Sequence, residues 1–272
     1  MTEWDAAGYA RRSGLQAAMA NEVLALLELD GSERILDVGC GDGRITAEIA
    51  ARVPQGSVVG VDRSHDMVSF ASKHFDPEVH PNVRFEVADA ASLPFRGEFD
   101  LVVSFNALHW LPEQDAPLRS IRAALRPEGL AQLRLVPIGA RKSLENVLEE
   151  TRLTARWAGY FREFRDPYLH LTPEQYAASA ERNGLHVRRI HTEAKAWDFL
   201  SRETFFDFGL VTFVEWTRFL PQSEKGEFVS EVLDRYQTVA ADRSGEENTF
   251  RFYQMDVTLA PKDEGEPTIG KD

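Results

Sequence analysis

The sequence predicts an α/β fold built on a doubly wound parallel sheet. Three observations carry that expectation. Short apolar strands alternate with helical patterns between residues 34 and 136. The first strand runs into a glycine turn, Ile35-Leu-Asp-Val-Gly-Cys-Gly-Asp-Gly43, and a helix follows at once. Residues able to hold a ligand recur at the carboxyl ends of successive strands, where sheets of this kind bind theirs.

Each element has its own signal. Leu15, Met19, Val23, Leu26 and Leu27 recur at helical spacing, and Asp30-Gly31 predicts the stop. Arg34 to Val38 reads as a buried strand, Ile45 to Val53 as a helix closed by Pro54. Ser57 to Asp62 is the second strand, and a helix from Ser64 to His74 follows. Val83 to Asp89 alternates as a third strand. Phe99 to Phe105 is a near-continuous apolar run, as a central parallel strand requires. A helix over 114–125, the turn Arg126-Pro-Glu-Gly129 and a strand from Leu130 to Val136 complete the regular part.

The second half reads differently. Helical patterns rich in aromatics fill 137–171 and 202–243. Thr172-Pro-Glu-Gln175 is a capping box with proline at the first helical position. Strands are expected from His186 to Phe199 and from Phe250 to Leu259. The organisation predicted is an N-terminal helical lid over 1–30, a ligand-binding core over 31–136, a remainder with two cap inserts over 137–260, and a flexible tail over 261–272.

Composition narrows the partners. The chain has 272 residues, with 44 acidic against 31 basic side chains and a formal net charge of −13. That disfavours nucleic-acid backbones and anionic membranes, which need clustered positive charge. No apolar run is long enough to span a bilayer, and no signal peptide stands at the start, so a cytoplasmic protein is expected. The histidines lack metal-ligand spacing, and no metal is expected. Cys40 is the single cysteine and lies inside the glycine turn, where small size explains it better than reactivity.

The glycine turn is a nucleotide cradle in principle. Glycines allow close backbone approach, and a helix start presents unpaired N–H donors. Its spacing is G-x-G-x-G over Gly39, Gly41 and Gly43, not the G-x-G-x-x-G of dinucleotide sites. Asp37 and Asp42 flank it. They would repel a pyrophosphate and suit a cation. Asp62 ends the second strand about 20 residues further on, where a ribose-hydroxyl acceptor belongs. Its bland alternative is a helix cap, a task open to Ser64 as well.

Leu36-Asp-Val-Gly-Cys-Gly-Asp-Gly43, Val61-Asp62, Asp89-Ala90 and Phe99 to Ser104, with Leu125 to Gly129, resemble the class I S-adenosylmethionine-dependent methyltransferases over about residues 30–136. The resemblance implies a Rossmann-like, seven-stranded, mostly parallel sheet whose last strand, Phe250–Leu259, is antiparallel. It implies S-adenosylmethionine as cofactor, its methionine part on Asp37, Gly39, Gly41 and Gly43, with Arg63, Met67, Ser104 and Asn106 beside it. Asp62 would take the ribose hydroxyls, and Asp89 with the Ala90 backbone the adenine. Tyr9 would close over the methionine carboxylate or simply staple the first helix.

Ser104-Phe-Asn-Ala-Leu-His-Trp110 is also similar to a segment of carboxyl methyltransferases of the trans-aconitate and juvenile hormone acid types. By that similarity Gln16 and Trp110 would hold a substrate carboxylate. A carboxylate is ionised at neutral pH and needs no base. It needs N–H donors that aim one oxygen, and an amide and an indole supply them without adding charge. A phenol acceptor, with a pKa of about 10, would need a base, and His109 is the candidate. Phenol, amine and carbon acceptors stay open as alternatives, as does a domain that binds the cofactor without turnover. The expected partner is a small organic acid with an apolar part; oligomeric state is left open. Trp157, Tyr160, Phe161, Phe164, Phe205, Phe206 and Trp216 are expected to be mostly core, with a minority lining the substrate pocket. Arg141, Arg156 and Arg162 are candidates for holding a second acidic group, as a polycarboxylate would require, although surface solvation suits each as well.

Overall fold

A computed structural model describes residues 14–262, with the backbone alone for 14–18. Seven strands form one sheet in the order β3-β2-β1-β4-β5-β7-β6. The parallel part comprises β1 (Arg34–Val38), β2 (Ser57–Asp62), β3 (Val83–Val87), β4 (Phe99–Phe105) and β5 (Leu125–Leu135). β7 (Thr249–Pro261) inserts antiparallel between β5 and β6 (Leu185–Asp198). The last strand is antiparallel, as expected.

Alternation along the strands divides the core in two. Leu36, Val59 and Val102 face an apolar cluster shared with α4 (Asp115–Ala124) and α6 (Pro173–Arg182). Their neighbours Ile35, Val58 and Val103 face the cluster that holds Val23 and Leu24 of α1 (Gly14–Ala25) and Ile49 and Ala50 of α2 (Arg44–Arg52). α3 (His65–His74) starts on Ser64, whose hydroxyl accepts from the Met67 N–H. Thr172 and Gln175 form the capping box at the start of α6.

A further group of helices, the cap, packs on β7 through Phe250 and Phe252. α5 (Leu144–Arg152), α7 (Arg202–Thr212), α8 (Val214–Thr217) and α9 (Gln222–Ala240) share a third apolar cluster around Trp157, Trp216 and Phe228.

The structure departs from expectation in three places. α1 ends at Ala25 rather than near Asp30. The Arg52 guanidinium takes the Leu24 carbonyl, and Leu26 and Leu27 close tighter turns. Residues 153–163 form consecutive turns and not a helix, with bonds such as Trp157 N–H to Thr154 O and Tyr160 N–H to Trp157 O. Gly159 and the burial of Trp157 and Phe161 on the cap favour that path. Residues 126–129, expected as a turn, belong to β5, where the pairing jumps from Phe99–Leu125 to Leu101–Leu130.

Candidate active site

The chain leaves β1 into the glycine turn because β2 receives it. Gly39 N–H donates to Val61 O at 2.7 Å and Cys40 N–H to the same oxygen at 3.0 Å. Gly39 has φ +80°, and a Cβ there would collide with the Cβ of Ala107, which follows β4. The turn and the β4 loop therefore touch backbone to side chain, and only glycine fits. At Gly41 an added Cβ would meet no protein atom within 4 Å. It opens onto a cavity of about 160 Å³.

That cavity gathers four strand ends. Gly39 and Gly41 line it from β1, Asp62, Arg63 and Met67 from β2 and α3, Asp89 and Ala90 from β3, and Asn106 and Trp110 from β4. Asp62 does more than face the cavity. Its Oδ2 accepts from Gly41 N–H at 3.1 Å and its Oδ1 from Ser64 N–H at 2.8 Å, so the carboxylate braces the glycine turn. Burial raises its pKa against those bonds. Asp89 Oδ1 accepts from Ala91 N–H. Arg63 reaches Glu215 of the cap at 3.4 Å, a link between core and cap that sequence spacing does not reveal.

Other expected residues sit behind the lining. Asp37 is 3 % exposed and accepts from the Thr46 hydroxyl at 2.6 Å. Burial, with Asp62 nearby, pushes its carboxyl up to about 7. Gly43 packs against Ala71 and Phe85. The Ser104 hydroxyl donates to Val38 O at 2.7 Å, and ties β4 to β1 inside the sheet. Burial holds the Cys40 thiol in its neutral form, in keeping with a structural place in the turn. Tyr9 lies outside the described residues, as does the tail beyond Lys262. Gln16 falls within α1, but its side chain is outside the described ones.

A second cavity, of about 310 Å³, adjoins the first. Phe105, Asn106 and Trp110 line both. Asn106 stands at this junction with φ +57°, a region few residues other than glycine and asparagine occupy. Its Oδ1 is buried without a hydrogen-bond partner among the described residues. Met19, Ala20 and Asn21 of α1 form one wall, and Tyr168, Phe208, Phe250 and Phe252 supply the aromatic surface. His109 lines this cavity and not the first. It is 5 % exposed, and burial drives its pKa down to about 3.

The seven cap aromatics named from the sequence all stay out of this lining. Trp157, Phe161, Phe205 and Trp216 are buried in the cap's own core; the indoles of Trp157 and Trp216 donate to Glu231 and Glu149. The lining aromatics come instead from the loop before α6, from α7 and from β7. Arg141 and Arg156 also lie elsewhere, paired with Asp242 and with Glu224 and Glu227. Among the described residues no group of three or more His, Cys, Asp or Glu side chains is placed to hold a metal. No described helix is long and apolar enough to cross a membrane.

Comparison with known proteins finds methyltransferases. A methyltransferase domain profile matches residues 35–129. Trans-aconitate 2-methyltransferase of Variovorax paradoxus is 31% identical over 159 residues, 58% of this chain and 59% of that one. Malonyl-[acyl-carrier protein] O-methyltransferase of Geobacter sulfurreducens is 36% identical over 143 residues, 52% of this chain and 53% of that one. The matches thus span less than two thirds of either relative. The solved YcgJ protein from Bacillus subtilis superposes with TM-score 0.63 at 17% identity, over 91% of this chain and 99% of that chain, which is a likeness of fold.

Proposed function

We propose that the chain is a class I S-adenosylmethionine-dependent methyltransferase, as its methyltransferase domain match and its named relatives support, and that it esterifies the carboxylate of a small organic acid with an apolar body. The observation that carries this reading is the aromatic second cavity, joined to the cofactor cavity across Phe105, Asn106 and Trp110. Two of the named relatives are themselves O-methyltransferases or act on an acid by name, trans-aconitate 2-methyltransferase and malonyl-[acyl-carrier protein] O-methyltransferase.

The residues fit the cofactor. Gly39 and Gly41 leave room for close approach, Asp62 offers a carboxylate to ribose hydroxyls, and Asp89 with Ala90 closes the adenine end. When bound, S-adenosylmethionine supplies a methyl group already activated on a sulfonium. The chain then has to position the acceptor and exclude water. Trp110, with Gln16 on α1, would aim the carboxylate by N–H donors. His109 is a poor base here: its conjugate acid, at about 3, lies far below the ~10 of a phenol. That weighs against the phenol alternative.

The test is a mass-spectrometric screen of acids and phenols for methyl transfer, with wild type and a Trp110→Phe/Gln16→Ala double variant. Turnover of an acid should fall at least about tenfold in the variant, the worth of one charge-assisted hydrogen bond. Cofactor affinity should change little. Undiminished turnover would rule out the carboxylate clamp.

Asp37 adds a pH dependence. Its folded pKa, about 7, is raised above the ordinary value near 3.8. The proton it holds stabilises the unliganded fold fully below about pH 4, and that contribution is lost as pH rises through 7. A cationic ligand favours ionised Asp37, so binding releases a proton. Affinity for S-adenosylmethionine should rise between pH 6 and pH 8 by up to about tenfold, and Asp37→Asn should flatten the rise. Calorimetry in buffers of different ionisation enthalpy reads both; a flat wild-type profile contradicts the assignment.

A further inference from the structure

The second cavity has a charge pattern that its aromatic wall does not explain. Asp42, Glu48 and Glu145 line it. Arg44 lines it too, and its guanidinium lies 3.4 Å from Asp42. Of the three arginines named for a second acidic group, Arg141 and Arg156 are committed to Asp242 and to Glu224 and Glu227, and Arg162 does not line this cavity. Glu145 enters from the cap, in the first turn of α5, and lines the cavity with Tyr168. Neither residue reaches the cofactor cavity. An independent sign of a ligand is His109, which lines the same space with its Nδ1 buried and unpartnered among the described residues.

Burial raises the pKa of the Glu145 carboxyl against its bond to Ser143, and a second carboxylate brought beside it meets like charge or a further proton uptake in a partly dry site, which is costly. A hydroxyl or an amine meets a strong acceptor there. We propose that Glu145 forms a subsite for a hydrogen-bond donor at the end of the acceptor remote from the methylated group. The acceptor is then a hydroxy- or amino-monocarboxylate with an apolar middle, and polycarboxylates are rejected. This rests on the carboxylate reading above. It separates the chain from a relative whose name specifies trans-aconitate.

The experiment compares a straight-chain alkanoate with its ω-hydroxy, ω-amino and ω-carboxy derivatives of equal length. Methyl transfer is followed by mass spectrometry to give kcat and KM separately. In wild type the hydroxy or the amino acid should exceed the alkanoate in kcat/KM by about tenfold, mainly through KM, and the dicarboxylate should fall below it. Which of the two leads identifies the donor. Glu145→Gln should erase the amino acid's advantage, and Glu145→Arg should turn the preference toward the dicarboxylate. Thermal melts and calorimetry with S-adenosylmethionine establish that each variant is folded, and Glu145→Ala serves where Glu145→Arg is not. A wild-type preference for the dicarboxylate, an amino-acid preference that survives Glu145→Gln, or a hydroxy-acid preference that survives Glu145→Ala, overturns the subsite alone. Loss of kcat with unchanged KM in Glu145→Gln also overturns it, by making Glu145 a base. Methylation of phenols and of none of the four acids overturns the carboxylate reading and the subsite together.

Discussion

Gly39→Ala should lower affinity for S-adenosylmethionine by about a hundredfold or more. Two costs combine. At φ +80° an alanine is in the left-handed region, worth roughly 1–2 kcal/mol. Its Cβ also collides with that of Ala107, so either the glycine turn or the β4 loop must move. Both line the first cavity, and a shift of either misplaces the Gly41 N–H that Asp62 holds. A companion variant isolates the collision. Gly39→Ala with Ala107→Gly removes the clash and keeps the strain, and should recover part of the lost affinity. Titration calorimetry measures both, with circular dichroism to confirm folding. Wild-type affinity in the single variant would mean that the turn does not touch the cofactor.

The second large effect is on stability. Arg134, on β5, is 3 % exposed at its side chain. Nε and Nη2 donate to the two oxygens of Asp256 at 2.7 and 2.9 Å, and Nη1 to Glu22 at 3.1 Å. Removing the cation strands Asp256 in the sheet and releases Glu22 of α1. Breaking such a pair costs about 3–5 kcal/mol. Arg134→Met should therefore lower the melting temperature by on the order of 10 °C. Arg134→Met/Asp256→Val, which removes both charges, should recover much of the loss. Glu22 directly follows Met19, Ala20 and Asn21, which wall the second cavity. The single variant should thus also raise KM for the acceptor more than it changes cofactor affinity. A melting temperature unchanged by Arg134→Met would show that the network is not what holds α1.

How much was legible in the sequence differs by region. From Arg34 to Leu135, strand and helix periods repeat, and Gly39, Asp62 and Asp89 stand at or just beyond the ends of β1, β2 and β3. Local signals and tertiary arrangement agree there, so sheet, turn and much of the first cavity's lining were readable. The side of the cleft facing the acceptor was not. Tyr168, Phe250 and Phe252 reach it from distant parts of the chain, and Glu145 looks like an ordinary first-turn acid of a capped helix. Trp157 and Trp216 fill the cap's own core, as large rings at helical spacing were mostly expected to do, and none of the seven named aromatics is the minority expected at the pocket. Asp37 and Ser104 belong to the same lesson: a polar residue near a strand end can use its hydrogen bonds within the fold, on Thr46 of α2 and on Val38 O of β1. The contact between Gly39 and Ala107 was hidden because it joins two strands 68 residues apart by a single methyl group.

The central claim is that the ends of β1, β2 and β3 form one S-adenosylmethionine site braced by Asp62. Titration calorimetry of wild type and Asp62→Ala with S-adenosylmethionine tests it most directly. Wild type should bind one equivalent, and Asp62→Ala should bind at least about tenfold more weakly, from the lost ribose acceptor and the unbraced Gly41 N–H. Equal affinity in the two proteins would contradict the account.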